Sequence, residues 1–344
     1  MKRSICILLL FCIAFSFCSC AKEEASPAQT GDVFSPLFRF TVSEGKSGET
    51  RLFYLPESDG FLYLHPGEEG GITGGFVSPE RSISSEALFK SEASLSEILV
   101  WEDARDRAHV LTEDELFTVL LKENGAHRTP LPEDLSLKHP TPLNTLSFIN
   151  EKDSLLLIHP VDFKETYVLA DSSRLPDFAT LLLPAENEKK LWYARSDGAG
   201  AYKGIGFFEY GSNLPLGNED FPFDSFQPIG SSSVLFTRIL EDGGALYLYR
   251  DLESGETRSL VADTVFQGVT CDPKGITLCG TTVSGEGGKI HVFDLKKGTQ
   301  KGEYAIDYGA PAPSLAITSD ASSLLIAVGK GSDEILGTLD LTKF

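Results

Sequence analysis

The sequence predicts an all-β fold, a seven-bladed β-propeller whose N-terminal strand closes the last blade, and three observations carry the prediction. Thirty-two glycines, abundant Ser and Thr and few long helix-forming stretches favour short strands joined by turns. A polar turn flanked by apolar runs recurs seven times along the 344 residues. The last three repeats also end their third strand in the same Asp-Leu pair. A hydrophobic content of 41% is ample for a buried core in a chain of this length.

The clearest repeat is Phe266 to Thr282, FQGVTCDPKGITLCGTT, followed by KIHVFDLKKG from Lys289. Its DPKG turn is matched by ESDG from Glu57, EDAR from Glu102, NEKD from Asn150, AENE from Ala185, GSSS from Gly230 and SDAS from Ser319. The start-to-start spacings are 45, 48, 35, 45, 42 and 47. A period in the forties corresponds to one four-stranded blade per repeat, and six or eight blades stay compatible with it. First strands such as RLFYLP (from Arg51), SEILVW (Ser96), ATLLLP (Ala179) and PSLAIT (Pro313) lead into the turns. Second strands such as FLYLHP (Phe61), SLLLIHP (Ser154), KLWYARS (Lys190), VLFTRIL (Val234), ITLCGTTV (Ile276) and SLLIAVG (Ser323) leave them. These runs are mostly apolar on both faces, as strands sandwiched between neighbouring blades must be.

Third strands include ETYVLA (Glu165), GIGFFEY (Gly204), LYLYRDL (Leu246), KIHVFDL (Lys289) and EILGTLDL (Glu334). The last three run into RDLESG, FDLKKG and LDLTKF, with Asp251, Asp294 and Asp340 in register. Asp-Leu-x-x-Gly reads as a strand exit in which the Asp caps backbone donors and the Gly supplies a positive φ. This resembles the strand-turn motif of bacterial propellers of the TolB-like, YVTN and quinoprotein-like groups. The resemblance spans roughly 34–344, is clearest in the last three repeats, and implies a fold rather than an activity.

The last repeat stops after its third strand, whereas LFRFTVS from Leu37 precedes the first repeat with no blade of its own. Pairing the two closes the ring and covers an edge that would otherwise invite aggregation. Two stretches compete with strands. Between Ser84 and Arg105, Ala87, Leu88, Leu95, Ile98 and Leu99 follow a partial helical spacing. Thr112 with Glu115 resembles a capping box before LFTVLL. The phase of the repeat places strands at both.

The N-terminus is an address. Lys2 and Arg3 precede an apolar run from Ile5 to Phe17 that suits a signal-peptide core and is short for a spanning helix. The following FCSC resembles a bacterial lipoprotein signal: Ser19 and Cys20 match its last two positions, while Phe17 and Cys18 depart from the usual Leu and Ala or Ser. The resemblance implies removal of residues 1–19 and lipidation of Cys20, which anchors a protein without a transmembrane helix. An ordinary secretory signal and an uncleaved anchor are the alternatives. Residues 20–33, polar and small, read as a flexible tether, and 34–344 form the propeller domain.

Fifty Asp and Glu against thirty Lys and Arg give a net charge of −20, which argues against nucleic acid as a partner. No catalytic, cofactor-binding or metal-ligating set is recognisable in the chain. His65, His109, His127, His139, His159 and His291 show no metal-ligand spacing. Cys271 and Cys279 bracket the DPKG turn and read as two buried thiols facing opposite ways. Trp101 and Trp192 read as blade packing. Acidic loops at Glu113 to Glu115, Glu219 to Asp224 and Glu241 to Asp242 lack calcium-loop spacing and read as solvated. Gly-rich runs at 70–75 and 198–206 read as hairpin loops, and no nucleophile motif is present.

The function expected is therefore an exported, lipid-anchored, noncatalytic propeller that presents loops to another envelope protein, a peptide or a glycan. The alternative is a lactonase-type hydrolase with a metal held in the central channel by residues from several blades.

Overall fold

The computed structural model describes residues 33–41, 49–55, 58–67, 71–78, 88–92, 98–103, 107–112, 115–123, 125–130, 136–137, 146–149, 154–158, 165–171, 179–185, 190–196, 201–209, 216–229, 232–284, 287–306, 309–330 and 333–344. The expected export signal (1–19), Cys20 and all of the expected tether (20–33) except Val33 lie outside these residues.

Among the described residues the strands form seven four-stranded antiparallel sheets. Strand β1 (Phe34–Thr41) is taken up by the last of them. The first sheet holds β2 (Arg51–Leu55), β3 (Gly60–Pro66), β4 (Ile72–Val77) and β5 (Phe89–Ser91); the second holds β6 (Leu99–Asp103), β7 (Arg107–Leu111), β8 (Glu115–Leu120) and β9 (Gly125–Pro130). The third holds β10 (Ser136–Leu137), β11 (Leu146–Ile149), β12 (Ser154–Ile158) and β13 (Glu165–Asp171); the fourth holds β14 (Ala179–Ala185), β15 (Lys190–Ser196), β16 (Tyr202–Glu209) and β17 (Leu216–Phe223). The fifth holds β18 (Ser225–Ile229), β19 (Ser233–Ile239), β20 (Ala245–Asp251) and β21 (Thr257–Ala262); the sixth holds β22 (Gly268–Cys271), β23 (Thr277–Ser284), β24 (Gly287–Asp294) and β25 (Thr299–Ile306). The seventh runs β26 (Ala310–Ile317), β27 (Ser323–Lys330), β28 (Asp333–Asp340), β1. Its register places Phe34 opposite Leu339 and Thr41 opposite Asp333.

Each sheet is a meander, so its four positions, A to D, put the A–B and C–D turns at one end of the sheet and the B–C turn at the other. We call these the AB end and the BC end. In six sheets the polar turn of the repeat joins A to B. The third differs: Asn150 to Asp153 fall between β11 and β12, its second and third strands, and ETYVLA is its fourth strand, β13. This accounts for the short spacing of 35. Every hairpin of a meander is a polar turn between apolar runs, so a template built on the turn does not distinguish one hairpin from the next.

The helical alternatives are strands in the described residues. Phe89–Ser91 and Leu99–Asp103 are β5 and β6. Thr112 and Glu115 make the cap-like bond, Glu115 N–H donating to Thr112 Oγ1 at 3.2 Å, but Thr112 N–H in turn donates to Glu115 O at 2.8 Å. The reciprocal pair closes a hairpin, and LFTVLL continues as β8.

Both faces of the central strands are buried. In β27, Leu324, Ile326 and Val328 pack with Ile290, Val292, Tyr304 and Ile306 of the sixth sheet. Leu325 and Ala327, between them in sequence, pack with Leu52, Phe61, Tyr63 and Val77 of the first. Each fully buried leucine contributes about 2 kcal/mol. Equivalent clusters join the first sheet to the second, the fourth to the fifth and the fifth to the sixth. The A strands line up on the inside, β18 against β22, β22 against β26, β26 against β2 and β2 against β6. Contact is closest where Gly268 meets β26: a Cβ there would stand 2.2 Å from Pro313 O, so only glycine fits.

Turns at the AB end fasten neighbours together. Asp272, 1% exposed, accepts from Lys274 N–H at 2.9 Å, Ile276 N–H at 2.8 Å and Thr277 N–H at 2.5 Å. The Tyr249 hydroxyl of the fifth sheet donates to Pro273 O in the same turn at 2.8 Å. Arg258 donates to Lys274 O and Gly275 O. Tyr54 of the first sheet likewise reaches Ser319 in the A–B turn of the seventh.

Removal of residues 34–43 strips β1 from β28 and takes Phe34 off the seventh sheet. The melting temperature should fall by on the order of 10 °C or more, which differential scanning calorimetry will read; an unchanged value contradicts the role given to β1.

Candidate functional site

The candidate site is the BC end of the fourth and fifth sheets. One residue, Asp224, links β17 to β18, so the D strand of one sheet runs almost directly into the A strand of the next. Asp224 N–H donates to Thr237 O at 2.8 Å and its Oδ2 accepts from Ile239 N–H at 2.6 Å, fixing this corner to β19. The sequence FPFDSF around it brings Phe221, Phe223 and Phe226 against Tyr202 and Phe236. Tyr202 stacks on Phe223 at 4.8 Å, Phe226 meets Tyr202 edge-on at 5.6 Å, and Phe221 meets Phe236 edge-on at 5.1 Å. Phe223 and Phe236 are buried, whereas Tyr202, Phe221 and Phe226 are half-buried.

Carboxylates surround these rings. Asp220, Asp224, Glu241, Asp242 and Asp263 are all exposed. Arg195 donates to Asp220 and to Glu219 O, and Arg250 makes a two-pronged contact with Glu219. Partly exposed ion pairs of this kind add little stability. The carboxylates that remain, Asp224, Glu241, Asp242 and Asp263, outnumber the exposed Lys203 and Arg238, so the BC end of these two sheets combines apolar rings with a net acidic surface, which suits stacking and the capture of cationic side chains. Of the acidic loops singled out in the sequence, Glu219 to Asp224 and Glu241 to Asp242 thus meet here. Glu113 and Asp114 lie outside the described residues, and Glu115 is committed to Arg128. Sequence reasoning missed the aromatic cluster, although the alternation of Phe221 and Phe223 was its signal.

The remaining residues of interest are structural. Cys271 pairs opposite Leu278, two positions beyond Ile276, and Cys279 opposite Thr270. Cys271 packs towards the fifth sheet and Cys279 towards the seventh, and both are free thiols. Burial pushes Cys279 up to about 12 and Cys271 well above its ordinary value. His109 is buried, with Nδ1 at 3.1 Å from Thr118 Oγ1. His65 stacks on Tyr63, and His291 lies between Phe266 and Phe293 with Nε2 at 2.9 Å from Thr282 Oγ1. His127 is exposed, and His139 and His159 lie outside the described residues. Trp192 is buried between the fourth and fifth sheets; the Trp101 side chain lies outside the description. Among the described residues no three His, Cys, Asp or Glu side chains come together as a metal site. The described A strands carry only Glu102 and Asp103 as carboxylates, both on β6.

The motif aspartates behave as the sequence predicts. Asp251 Oδ1 accepts from Glu253 N–H at 3.0 Å and Ser254 N–H at 2.8 Å, and Gly255 has φ +74°. Asp294 accepts from Lys297 N–H at 2.9 Å, with Gly298 at φ +67°. Asp340 accepts from Thr342 N–H at 2.9 Å. Burial raises the first two carboxyls, but the donors outweigh it and hold both below the ordinary 3.8. The Thr342 donors do the same for Asp340.

Two measurements check these assignments. Burial lowers His65 and His291 from 6.5, in His291 against the pull of Glu303. Both are then neutral in the fold while the unfolded chain binds protons, so their contribution is complete above pH 6.5 and is lost as the pH falls below it. The depressed aspartates contribute fully above 3.8 and are lost in a second, more acid step. Urea midpoints should therefore decline first just below pH 6.5, and His291→Gln should flatten that decline. Separately, a maleimide should leave Cys271 and Cys279 unmodified in the native protein and label both after denaturation without reductant; one label or none contradicts two free thiols.

No family model matches the chain, and no curated protein does. Solved structures do. The chain is similar to an oligogalacturonate lyase in complex with manganese, with a TM-score of 0.59 and 13% identity over 91% of this chain and 98% of that one. It is similar to the WD40 domain of Neurospora crassa Pan2, with a TM-score of 0.54 and 9% identity over 91% and 98%. It is similar to the Dos1 propeller, with a TM-score of 0.52 and 11% identity over 89% and 95%. At such identities the likeness carries the fold alone: the sheets are blades, and the chain is a β-propeller.

Proposed function

We propose that this protein is an exported lipoprotein, anchored through Cys20, whose propeller is a noncatalytic binding scaffold of seven blades closed by β1. The observation that carries the binding role is the BC end of blades four and five, where half-buried Tyr202, Phe221 and Phe226 are rimmed by exposed carboxylates. Apolar surface with a polar rim, held on a rigid frame, is the usual form of a protein-binding patch. Its charge selects a basic segment of another envelope protein or peptide over an acidic one. A glycan would use the same rings for stacking.

Crosslinking from native membranes with the full lipidated chain tests the reading. Wild type should capture a specific partner, and Glu241→Lys with Asp242→Lys should lose at least about tenfold of the capture, the loss expected when attraction becomes like-charge repulsion. The melting temperature should fall only slightly, because both side chains are exposed and the one bond lost is that from Gly244 N–H to Asp242 Oδ1 at 3.1 Å. Capture indifferent to the reversal overturns the assignment of the surface. A stoichiometric divalent ion in the purified protein would instead favour the hydrolase with a metal in the channel.

A further inference from the structure

The point at which the chain enters the ring has a fixed place. The Val33 carbonyl accepts from Asp340 N–H at 3.0 Å, and Val33 is buried in the core between blades six and seven. Since Phe34 lies opposite Leu339 and Thr41 opposite Asp333, β1 starts at the AB end of blade seven and runs towards its BC end. Phe34 stacks on Tyr304 of blade six at 6.3 Å. Close by, the Phe344 ring covers Gly302, where a Cβ would stand 2.7 Å from it. The root of the N-terminal segment therefore sits in the seam of blades six and seven, at the end that carries the capped turns.

That end has its own charge pattern. Lys274 lies in the A–B turn of blade six, Lys296 and Lys297 in its C–D turn, and Lys343 just beyond β28; all four are exposed. Most of the aspartates beside them are taken up as caps: Asp272 and Asp294 are buried and Asp340 accepts from Thr342 N–H, while Asp320 accepts from Ser322 N–H and stays exposed. Lys297 is also 3.5 Å from Asp294 while remaining largely in solvent. In the described turns of these two blades the exposed lysines outnumber the exposed carboxylate, Asp320, in a protein of net charge −20. At the opposite end of blade five, Asp224, Glu241, Asp242 and Asp263 stand exposed with Arg238.

We infer that the AB end of blades six and seven is the membrane-facing surface, its four lysines resting on anionic lipid headgroups, and that the BC end points away from the bilayer towards the partner. The inference rests on the reading of Cys20 as the lipid anchor. Thirteen steps of chain separate Cys20 from Val33, a reach of at most about 45 Å. With the AB end down, that reach is used without detour. With the BC end down, the segment must first pass along the eight-residue height of β28, about 26 Å. Charge acts in the same sense: an anionic surface attracts the lysines and repels the exposed carboxylates at the BC end of blades four and five.

The experiment uses the full lipidated chain in vesicles of phosphatidylglycerol and phosphatidylethanolamine that contain a headgroup-bound quencher. A dye is attached to Ser254→Cys, at the AB end of blade five, or to Glu241→Cys, at its BC end; the native thiols in the propeller are buried. The dye at 254 should be quenched at least about twofold more than the dye at 241, given the ~23 Å height of the blade. Equal quenching, or stronger quenching at 241, overturns the orientation. Reversal of Lys274, Lys296, Lys297 and Lys343 to Glu should remove at least half of the difference, and no change overturns the part assigned to the lysines. Mass spectrometry of the same preparation separates the two readings. A mature N-terminus without lipid on Cys20 refutes anchoring and the orientation with it, whereas a lipidated chain with equal quenching refutes the orientation alone.

Discussion

A strand such as β27 places Leu324, Ile326 and Val328 against one neighbour and Leu325 and Ala327 against another. No single sheet buries both sets, so this blade depends on two others for its core, and stability belongs to the succession of blades rather than to any one. The constraint explains several features at once. It accounts for strands that are apolar without alternation and for a second strand pattern that repeats from blade to blade. It also places Cys271 and Cys279, eight residues apart in sequence, in two different cores of the molecule.

Where apolar faces meet, the backbone of the turns still needs partners, and the AB end supplies them with aspartate. Asp272 satisfies three N–H groups from within the turn, and Asp251, Asp294 and Asp340 repeat the device at the strand exits. Tyr249 and Arg258 then reach from blade five into the same turn of blade six. Glycine is required there for two reasons. Gly275 has φ +61°, and a Cβ on it would lie 2.4 Å from the Tyr249 ring. Ends fastened in this way leave their loops short and committed.

The BC end is built differently, and that asymmetry suits it to recognition on physical grounds. Its corner between blades four and five is fixed by Asp224, yet Tyr202, Phe221 and Phe226 keep part of their rings at the surface and the neighbouring carboxylates face solvent. Under the proposed anchoring through Cys20, the entry of β1 at the AB end would give the two ends distinct surroundings. In that proposal one end faces the membrane and the other is left for recognition, a division of labour that a rigid frame serves well because neither end has to move.

The sequence alone determined the elements that local chemistry controls. Turn residues and strand runs are set by neighbours in the chain, so the spacing of the DPKG-like turns, the Asp-Leu-x-x-Gly exits and the opposed facing of the two cysteines were legible in the chain itself. The identity of the hairpin marked by Asn150 to Asp153 was not, because a polar turn has the same local chemistry wherever it falls in a meander. The tertiary structure decided what depends on distant residues. It joined FPFDSF to Tyr202 and Phe236, separated Glu115 from the other acidic loops by committing it to Arg128, and set Val33 beside Asp340. Those contacts join neighbouring strands, neighbouring blades or the two ends of the described chain, where periodicity in sequence carries no information about which side chains meet.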